Sequence, residues 1–381
     1  MWCVDCETIE DYFFETTYFW IFVPTVEAFG KLAVMCGEYG LEAYQASSHA
    51  IRITVQDRDI SQFLTRLNGC LDGPEFGKTK ITTTSTPDQP DIQSIGNITT
   101  AETMIRRFQA RWLVTAIEND AFQSWFQPIV HANSTADNLN IFAHEALFRL
   151  YDESDNIMPP NLVFPLAEQS DLLYSLDLVA RRSAVEHAAR GRLKGKVFIN
   201  FNPSSIYDPS YCLRSTASAI AEIGMRPQDI VFELTETHRA SDINHLKGIL
   251  TFYRNSGFGI ALDDVGSGWS GLNLLEQLRP DYVKIDMELI RDIDTSPYKQ
   301  NIVKHLIQIA HDNRSRVIAE GIETESEAQT LREMEADYLQ GFYFGKPAPV
   351  TERMSGKADD DIARGMKPLS DAARQMGGVK E

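Results

Sequence analysis

The short apolar runs in the second half of the chain end in polar side chains that a hydrophobic core has no use for. Glu145 follows IFAH, Asn200 and Asn202 close VFINFN, and Glu233 sits in IVFEL. Asp263 and Asp264 follow GIAL, Lys284 and Asp286 close YVKID, Glu320 follows RVIA, and Gln340 sits in YLQGF. An unpaired buried carboxylate is costly. Five of them brought together (Glu145, Glu233, Asp263, Asp264, Glu320) cannot all stay ionised unless cations neutralise them. Hard oxygen ligands select Mg²⁺, Mn²⁺ or Ca²⁺ over zinc. Adjacent aspartates at a strand end, where the backbone bends, can serve two ions at once. Such a two-metal site suits in-line attack on a phosphodiester. A strand-end cap or an Arg or Lys partner accounts for any one of these residues, but not for the same placement on six strands.

The elements that must position these groups are legible as recurring runs. They are Ser124–Val130, Ile141–Leu147, Lys196–Asn202, Ile230–Leu234, Gly259–Asp264, Tyr282–Asp286, Arg316–Glu320 and Tyr338–Phe342. From Lys196 onward strands alternate with helical stretches, the signature of βα units and a parallel sheet. Eight such runs predict an α/β fold of the (β/α)8 TIM-like barrel type, whose C-terminal strand ends meet on one face where active sites form. The first two runs lie too close together for a crossover helix, so the first strand is expected to be antiparallel.

The preceding 1–77 region reads as a small α+β domain of regulatory or sensor type. Tyr18–Val23, Leu41–Ala46 and Ala50–Val55 are its expected strands. Val26–Glu38 is an expected helix with Val26, Phe29, Ala33 and Val34 on one face, and Asp59–Leu71 another with Ile60, Phe63, Leu64 and Leu67. The aromatic cluster from Tyr12 to Phe22 is expected in its core. Residues 78–100, rich in Thr, Ser and Pro, read as a linker. A helix from Ala101 to about Ile117 opens the barrel domain at 101–352, and 353–381 reads as a charged tail.

The chain has 381 residues with 36 Lys+Arg against 54 Asp+Glu, a formal net charge of −18. So acidic a surface repels nucleic acid polymers and anionic membrane. A phosphate substrate therefore calls for a cation between it and the protein. The acidic start MWCVDCETIEDYFFE is not a signal peptide, and the strongest apolar run, Tyr18–Pro24, is too short for a membrane segment. Five cysteines, an odd and sparse count, fit a reducing, cytoplasmic setting. Cys3-Val4-Asp5-Cys6 is a lone CxxC, half of a zinc site at most. His144-Glu145 lacks the second histidine of HExxH, because position 148 is Phe. His144 is therefore expected to pack or to support a ligand.

Nine motifs in order resemble the EAL domains that hydrolyse cyclic di-GMP. They are FQPIV (Phe126–Val130), EALFR (Glu145–Arg149), MPPNLVFPLAEQSDLL (Met158–Leu173), INFNPSSI (Ile199–Ile206), FELTET (Phe232–Thr237), LDDVGSGWSGL (Leu262–Leu272), VKID (Val283–Asp286), AEGIET (Ala319–Thr324) and QGFYFGKP (Gln340–Pro347). The resemblance implies a cyclic di-GMP phosphodiesterase with linear pGpG as product and two Mg²⁺ or Mn²⁺ ions per active site. Glu145, Asn200, Glu233 and Asp263 resemble the ligands of the first ion, with Asp263 bridging to a second beside Asp264. Lys284 resembles the residue that positions the attacking water or a phosphate oxygen, and Glu320 the general base. Arg149 resembles the arginine that grips a substrate phosphate, and Gln127 a guanine contact. Gln340 is expected at the substrate side of the same cluster. Glu236 resembles the glutamate that orders the loop after the aspartate pair, which in the family links metal binding to a homodimer contact.

That loop departs from the family's usual DDFGTGYSSL. Val265, Ser267, Trp269 and Gly271 replace Phe, Thr, Tyr and Ser, changes that bear on loop dynamics and dimer coupling rather than on any ligand position. No GGDEF motif is present, so synthesis of cyclic di-GMP is not expected. The competing expectation is a catalytically silent EAL domain serving as a cyclic di-GMP receptor or interaction platform.

Overall fold

In the computed structural model the described residues are 11–206, 217, 220–221, 223–235, 243–268 and 271–350. Cys3, Cys6, Glu236, Trp269 and the tail lie outside them. Two compact units account for the contacts. Of the described residues, one comprises 11–116 together with Asn161–Leu173, and the other Ile117–Pro160 with those from Tyr174 to Val350.

The smaller unit is built on strands β1 (Thr16–Phe22), β2 (Glu42–Gln45), β3 (Ala50–Gln56), β4 (Lys80–Thr84) and β5 (Thr99–Thr100), hydrogen-bonded in the order β2-β3-β1-β4-β5 with antiparallel pairing. Helix Val26–Tyr39 connects β1 to β2, and helix Ile60–Cys70 lies between β3 and β4. This is the split β-α-β arrangement. The Thr25 hydroxyl caps the first helix by accepting from the Ala28 amide, and Gly40 ends it at φ 63°. Its buried stripe is Ala28, Leu32, Met35 and Cys36, not the expected Val26–Val34 face. Val26 and Val34 are 61% and 60% exposed. The true stripe contains alanine and cysteine, which a search for large apolar residues passes over. The second helix buries Ile60, Phe63, Leu64 and Leu67 as expected, with the Phe63 ring 4.8 Å from that of Phe19.

The stretch expected as a linker carries β4, whose Ile81, Thr82 and Thr83 are buried against β1. A run of threonines is polar in composition but β-branched in shape, and pairs well on a pleated sheet. The helix expected from Ala101 to Ile117 breaks at Ala110 into Ala101–Gln109 and Arg111–Glu118. Ala101 and Met104 join the smaller unit's core.

The larger unit is a closed barrel of eight strands. They are β6 (Phe122–His131), β7 (Ile141–Tyr151), β9 (Lys196–Asn200), β10 (Ile230–Thr235), β11 (Gly259–Val265), β12 (Tyr282–Ile285), β13 (Arg316–Ala319) and β14 (Tyr338–Gln340). The two-residue strands β8 (Ile157–Met158) and β15 (Ala348–Pro349) pair outside the ring with β7 and β6. From β7 through β14 neighbours are parallel, while β6 is antiparallel to both β7 and β14 and closes the ring. The antiparallel first strand read from the sequence is therefore present. Outward residues such as Ile199, Phe232, Leu262 and Val283 build the core under the helices. Inward residues Ile129, Ala143, Phe198, Val231, Ala261 and Ile318 fill the barrel floor. Among the described residues no helix is long and apolar enough to cross a membrane.

One carboxylate closes the floor's rim. Asp337 accepts from His311 Nε2 at 2.8 Å, Arg316 Nη1 at 2.6 Å and the Val317 amide at 2.8 Å, tying helix Pro297–Asp312 to β13 and β14. Asp337→Ala strands three donors at once and is expected to lower stability by about 2–4 kcal/mol. The check is the urea midpoint of the full chain, and an unchanged midpoint would contradict this role.

Candidate active site

The pleat of the barrel strands positions the polar groups. Side chains repeat on one face every second residue, so the inward position after each floor residue lies one tier nearer the mouth. The steps run from Ala143 to Glu145, Phe198 to Asn200, Val231 to Glu233, Ala261 to Asp263 and Ile318 to Glu320. Tyr282 leads to Lys284 and Tyr338 to Gln340. On the antiparallel β6 the step runs backwards, from Ile129 to Gln127, whose Cα partner is Glu145. All eight positions of that tier are polar.

Asp264 breaks the alternation. Between β11 and β12 the register slips, with Leu262 opposite Val283 but Val265 opposite Ile285, and Asp264 sits in the left-handed region at φ 56°. A bulge of this kind turns a side chain that would face outward. It lets consecutive aspartates share the mouth, a conformation that aspartate tolerates better than most residues.

Lys284, 1% exposed, is the centre of the tier. Its Nζ lies 2.7 Å from Glu320 Oε1, 2.9 Å from Glu233 Oε1, 3.0 Å from Asp263 Oδ1 and 3.6 Å from Glu145 Oε2. Burial acts to lower the ammonium's proton affinity, but the carboxylates, led by Asp263, outweigh it and raise it. Burial also raises Glu233 and Glu320 well above the usual carboxylate range against the pull of Lys284. Asp264 is pushed up to about 7 by burial, by the neighbouring Asp263 charge and by its contacts with Asp286. Neither Glu233 oxygen, nor Asp263 Oδ1, has a directed hydrogen bond. One ammonium is too little positive charge for this set.

These oxygens, which share one ammonium or, at Glu233 Oε2, have no hydrogen-bond partner, fit divalent cations. Ligand oxygens of Glu145, Glu233 and Asp263 lie within 4.8 Å of one another, and so do those of Asp263, Asp264 and Glu320. Two acidic triads thus share Asp263, the residue expected to bridge. Asn200 Nδ2 donates to Glu145 Oε1 at 3.3 Å, so its amide stands beside the first triad. Gln340 Nε2 donates to Glu145 Oε2 at 2.6 Å and to Gln127 Oε1 at 3.2 Å, while Gln127 Nε2 is tied to the Gly345 carbonyl at 3.1 Å. Gln340 therefore steadies Glu145 directly, and Gln127 acts on it through Gln340. Arg149 lies further along β7, half-buried, its guanidinium 5.4 Å from the Trp125 ring centroid. His144 faces away from the tier, its Nδ1 buried without a partner. The tier opens into a cavity of about 280 Å³ that also reaches Leu147, Asp286, Glu323 and Phe342.

Three residues that hold this geometry escape a search for strand-end chemistry. Glu327 accepts from the amides of Glu323, Thr324 and Asp292 at 2.9, 3.0 and 2.9 Å, fixing the loop that leaves Glu320. Its signal is the capping box Thr324-x-x-Glu327. Asp177 accepts from Arg181 Nε at 2.9 Å, Ser205 Oγ at 2.6 Å and the Asn202 amide at 3.0 Å, fixing the loop that leaves Asn200. Asp286, itself one of the strand-end polar groups, caps the helix that follows β12 by accepting from the Glu288 amide at 2.7 Å. Gly341 allows the loop after Gln340 to cross the loop after Glu320, since a Cβ there would lie 2.0 Å from the Ile322 carbonyl oxygen.

A barrel with one antiparallel strand and a bulged aspartate pair at its mouth defines a distinct class of protein. The chain belongs to the EAL domain family, whose profile matches residues 110–347. It is 30% identical over 261 residues to "Signaling protein YkoW" of Bacillus subtilis (strain 168), covering 67% of this chain and 31% of that protein. It is 26% identical over 246 residues to "Cyclic di-GMP phosphodiesterase PdeF" of Escherichia coli (strain K12), covering 64% of this chain and 32% of that one. The chain thus spans about a third of the length of these relatives. Among solved structures, a standalone EAL protein from Vibrio cholerae O395 in its c-di-GMP bound form is 35% identical with a TM-score of 0.53, covering 60% of this chain and 92% of that one.

Removing the central ammonium tests the charge balance directly. Lys284→Met leaves the carboxylates uncompensated and is expected to cost about 3 kcal/mol in EDTA. Mn²⁺ is expected to raise the variant's thermal midpoint by more than it raises the parent's. Equal midpoints for the two proteins in EDTA would show that Lys284 does not hold the tier together.

Proposed function

We propose that the chain is a metal-dependent phosphodiesterase that hydrolyses cyclic di-GMP to linear pGpG. The observation that carries this reading is the pair of acidic triads sharing Asp263 around a buried lysine. Glu145, Asn200, Glu233 and Asp263 would hold one ion, and Asp263 with Asp264 a second. When bound, Mg²⁺ or Mn²⁺ neutralises the phosphate and makes water more acidic. Glu320, with its raised proton affinity, takes the proton of the attacking water. Lys284 keeps its charge and faces the oxygens that become more negative as water adds to phosphorus and one bridging P–O bond of the ring breaks, its oxygen leaving as a hydroxyl with a proton from solvent. Arg149 grips a phosphate, Gln127 meets a guanine edge, and Gln340 holds both Gln127 and Glu145 in place.

The remaining assignments belong to the same reading. The smaller unit modulates turnover, Glu236 orders the loop after Asp264, and the barrel pairs with a second copy in a homodimer. The setting is cytoplasmic. The relatives' names and the cyclic di-GMP-bound neighbour support the choice of substrate, and the intact ligand set favours catalysis over a silent receptor.

The full chain with Mg²⁺ or Mn²⁺ is expected to release pGpG from cyclic di-GMP, and EDTA to stop it. Glu145→Ala or Asp263→Asn is expected to cut turnover at least a hundredfold, in the range for groups that stabilise a transition state, while Cys3→Ser leaves it largely intact. Robust turnover by either carboxylate variant would sink the metal assignment. Nucleotide binding without product, in the parent with metal present, would transfer the protein to the receptor class.

A further inference from the structure

One tier above the polar groups, the β6–β7 ladder carries a planar aromatic side chain that the chemistry at Lys284 does not use. Trp125 and Leu147 are Cα partners, two residues beyond the Gln127–Glu145 pair, and Leu147 lines the mouth cavity. The facing of Trp125 is fixed by its neighbours. Ser124 Oγ lies 2.8 Å from Ser183 Oγ on helix Leu173–Arg190, and Phe126 is buried in the core under the helices. Alternation therefore turns Trp125 to the side of Gln127 and the mouth. Its indole stays half-buried, so it is not spent on the core.

The ring is held in one orientation by two polar neighbours. Trp125 Nε1 donates to Gln123 Oε1 at 3.2 Å and lies 3.3 Å from the Tyr151 hydroxyl, which itself donates to Gln123 Oε1 at 3.2 Å. Arg149, the Cα partner of Gln123, places its guanidinium 5.4 Å from the indole centroid. A fixed flat ring with a half-buried cation over it complements a nucleotide, which presents a flat base next to an anionic phosphate.

We propose that Trp125 is the stacking plate for one purine base of the dinucleotide substrate, with Gln123 and Tyr151 as the positioning residues that hold its ring. The assignment rests on the reading of the site as a cyclic di-GMP site. It makes Trp125 a determinant of affinity and base preference, separate from the groups that act on phosphorus.

The test compares Trp125→Ala, Trp125→Phe and Gln123→Ala in the full chain, by steady-state kinetics with Mg²⁺ and by calorimetric titration with cyclic di-GMP in EDTA. Base stacking on an aromatic side chain is worth roughly a 5- to 100-fold change in affinity. Trp125→Ala is therefore expected to raise KM and Kd about tenfold or more while kcat stays within about twofold. Trp125→Phe is expected to recover most of the loss, and Gln123→Ala to fall between. Unchanged Kd and KM in Trp125→Ala, with the thermal midpoint preserved, would overturn the subsite. A kcat loss that Phe does not rescue would do so as well. A parent that binds cyclic di-GMP without hydrolysing it leaves the plate standing on Kd alone. A parent that binds none in either condition overturns the functional reading and the plate with it.

Discussion

One buried ammonium amid carboxylates sets the terms for the rest of the barrel. Lys284 touches Glu233, Asp263 and Glu320 within 3.0 Å and is almost fully removed from water. A lysine so placed keeps its charge only because the carboxylates surround it, and they stay together only because it is there. The balance is incomplete, since both oxygens of Glu233 lack directed hydrogen bonds. In the proposed reading this surplus negative charge takes up cations, and the cations make a phosphodiester tolerable to a chain of net charge −18.

The barrel meets this demand with its pleat. The same two-residue step that puts valine, alanine and phenylalanine on the floor puts carboxylates, amides and one lysine in the tier above it. A single bulge adds Asp264 to the set. The loops that continue from this tier are then pinned by buried carboxylates of a second kind, Asp177 and Glu327, which accept backbone amides and stay clear of the mouth. The two populations of acid differ in what satisfies them, protein donors for one and, in the proposed reading, external cations for the other.

The same distinction explains what could be read from residues alone. Seven of the tier's residues were legible because their apolar runs carry polar groups of the wrong kind for a core, the antiparallel first strand because the first two runs lie too close for a crossover helix, and Gln127 only through the family resemblance. Asp177 sits in a helix's second turn and Glu327 in a helix's first turn, where acids are common, and the one local signal for either is the capping box at Thr324. Trp125 reads as an ordinary aromatic strand residue until its register with Leu147 shows which way it faces. The threonines of β4 and the small residues of the first helix's buried stripe misled for a related reason. Composition reports polarity and size, while pairing and packing depend on shape.

The central claim is that the tier is a two-cation site with Asp263 shared between the ions. The most direct measurement is the stoichiometry of Mn²⁺ binding to the full chain by calorimetry, with the Asp263→Asn protein alongside. The account predicts two ions per chain in the parent, and weakened binding at both positions when the shared carboxylate is neutralised. A single ion in the parent, or two bound as tightly by Asp263→Asn as by the parent, would contradict it.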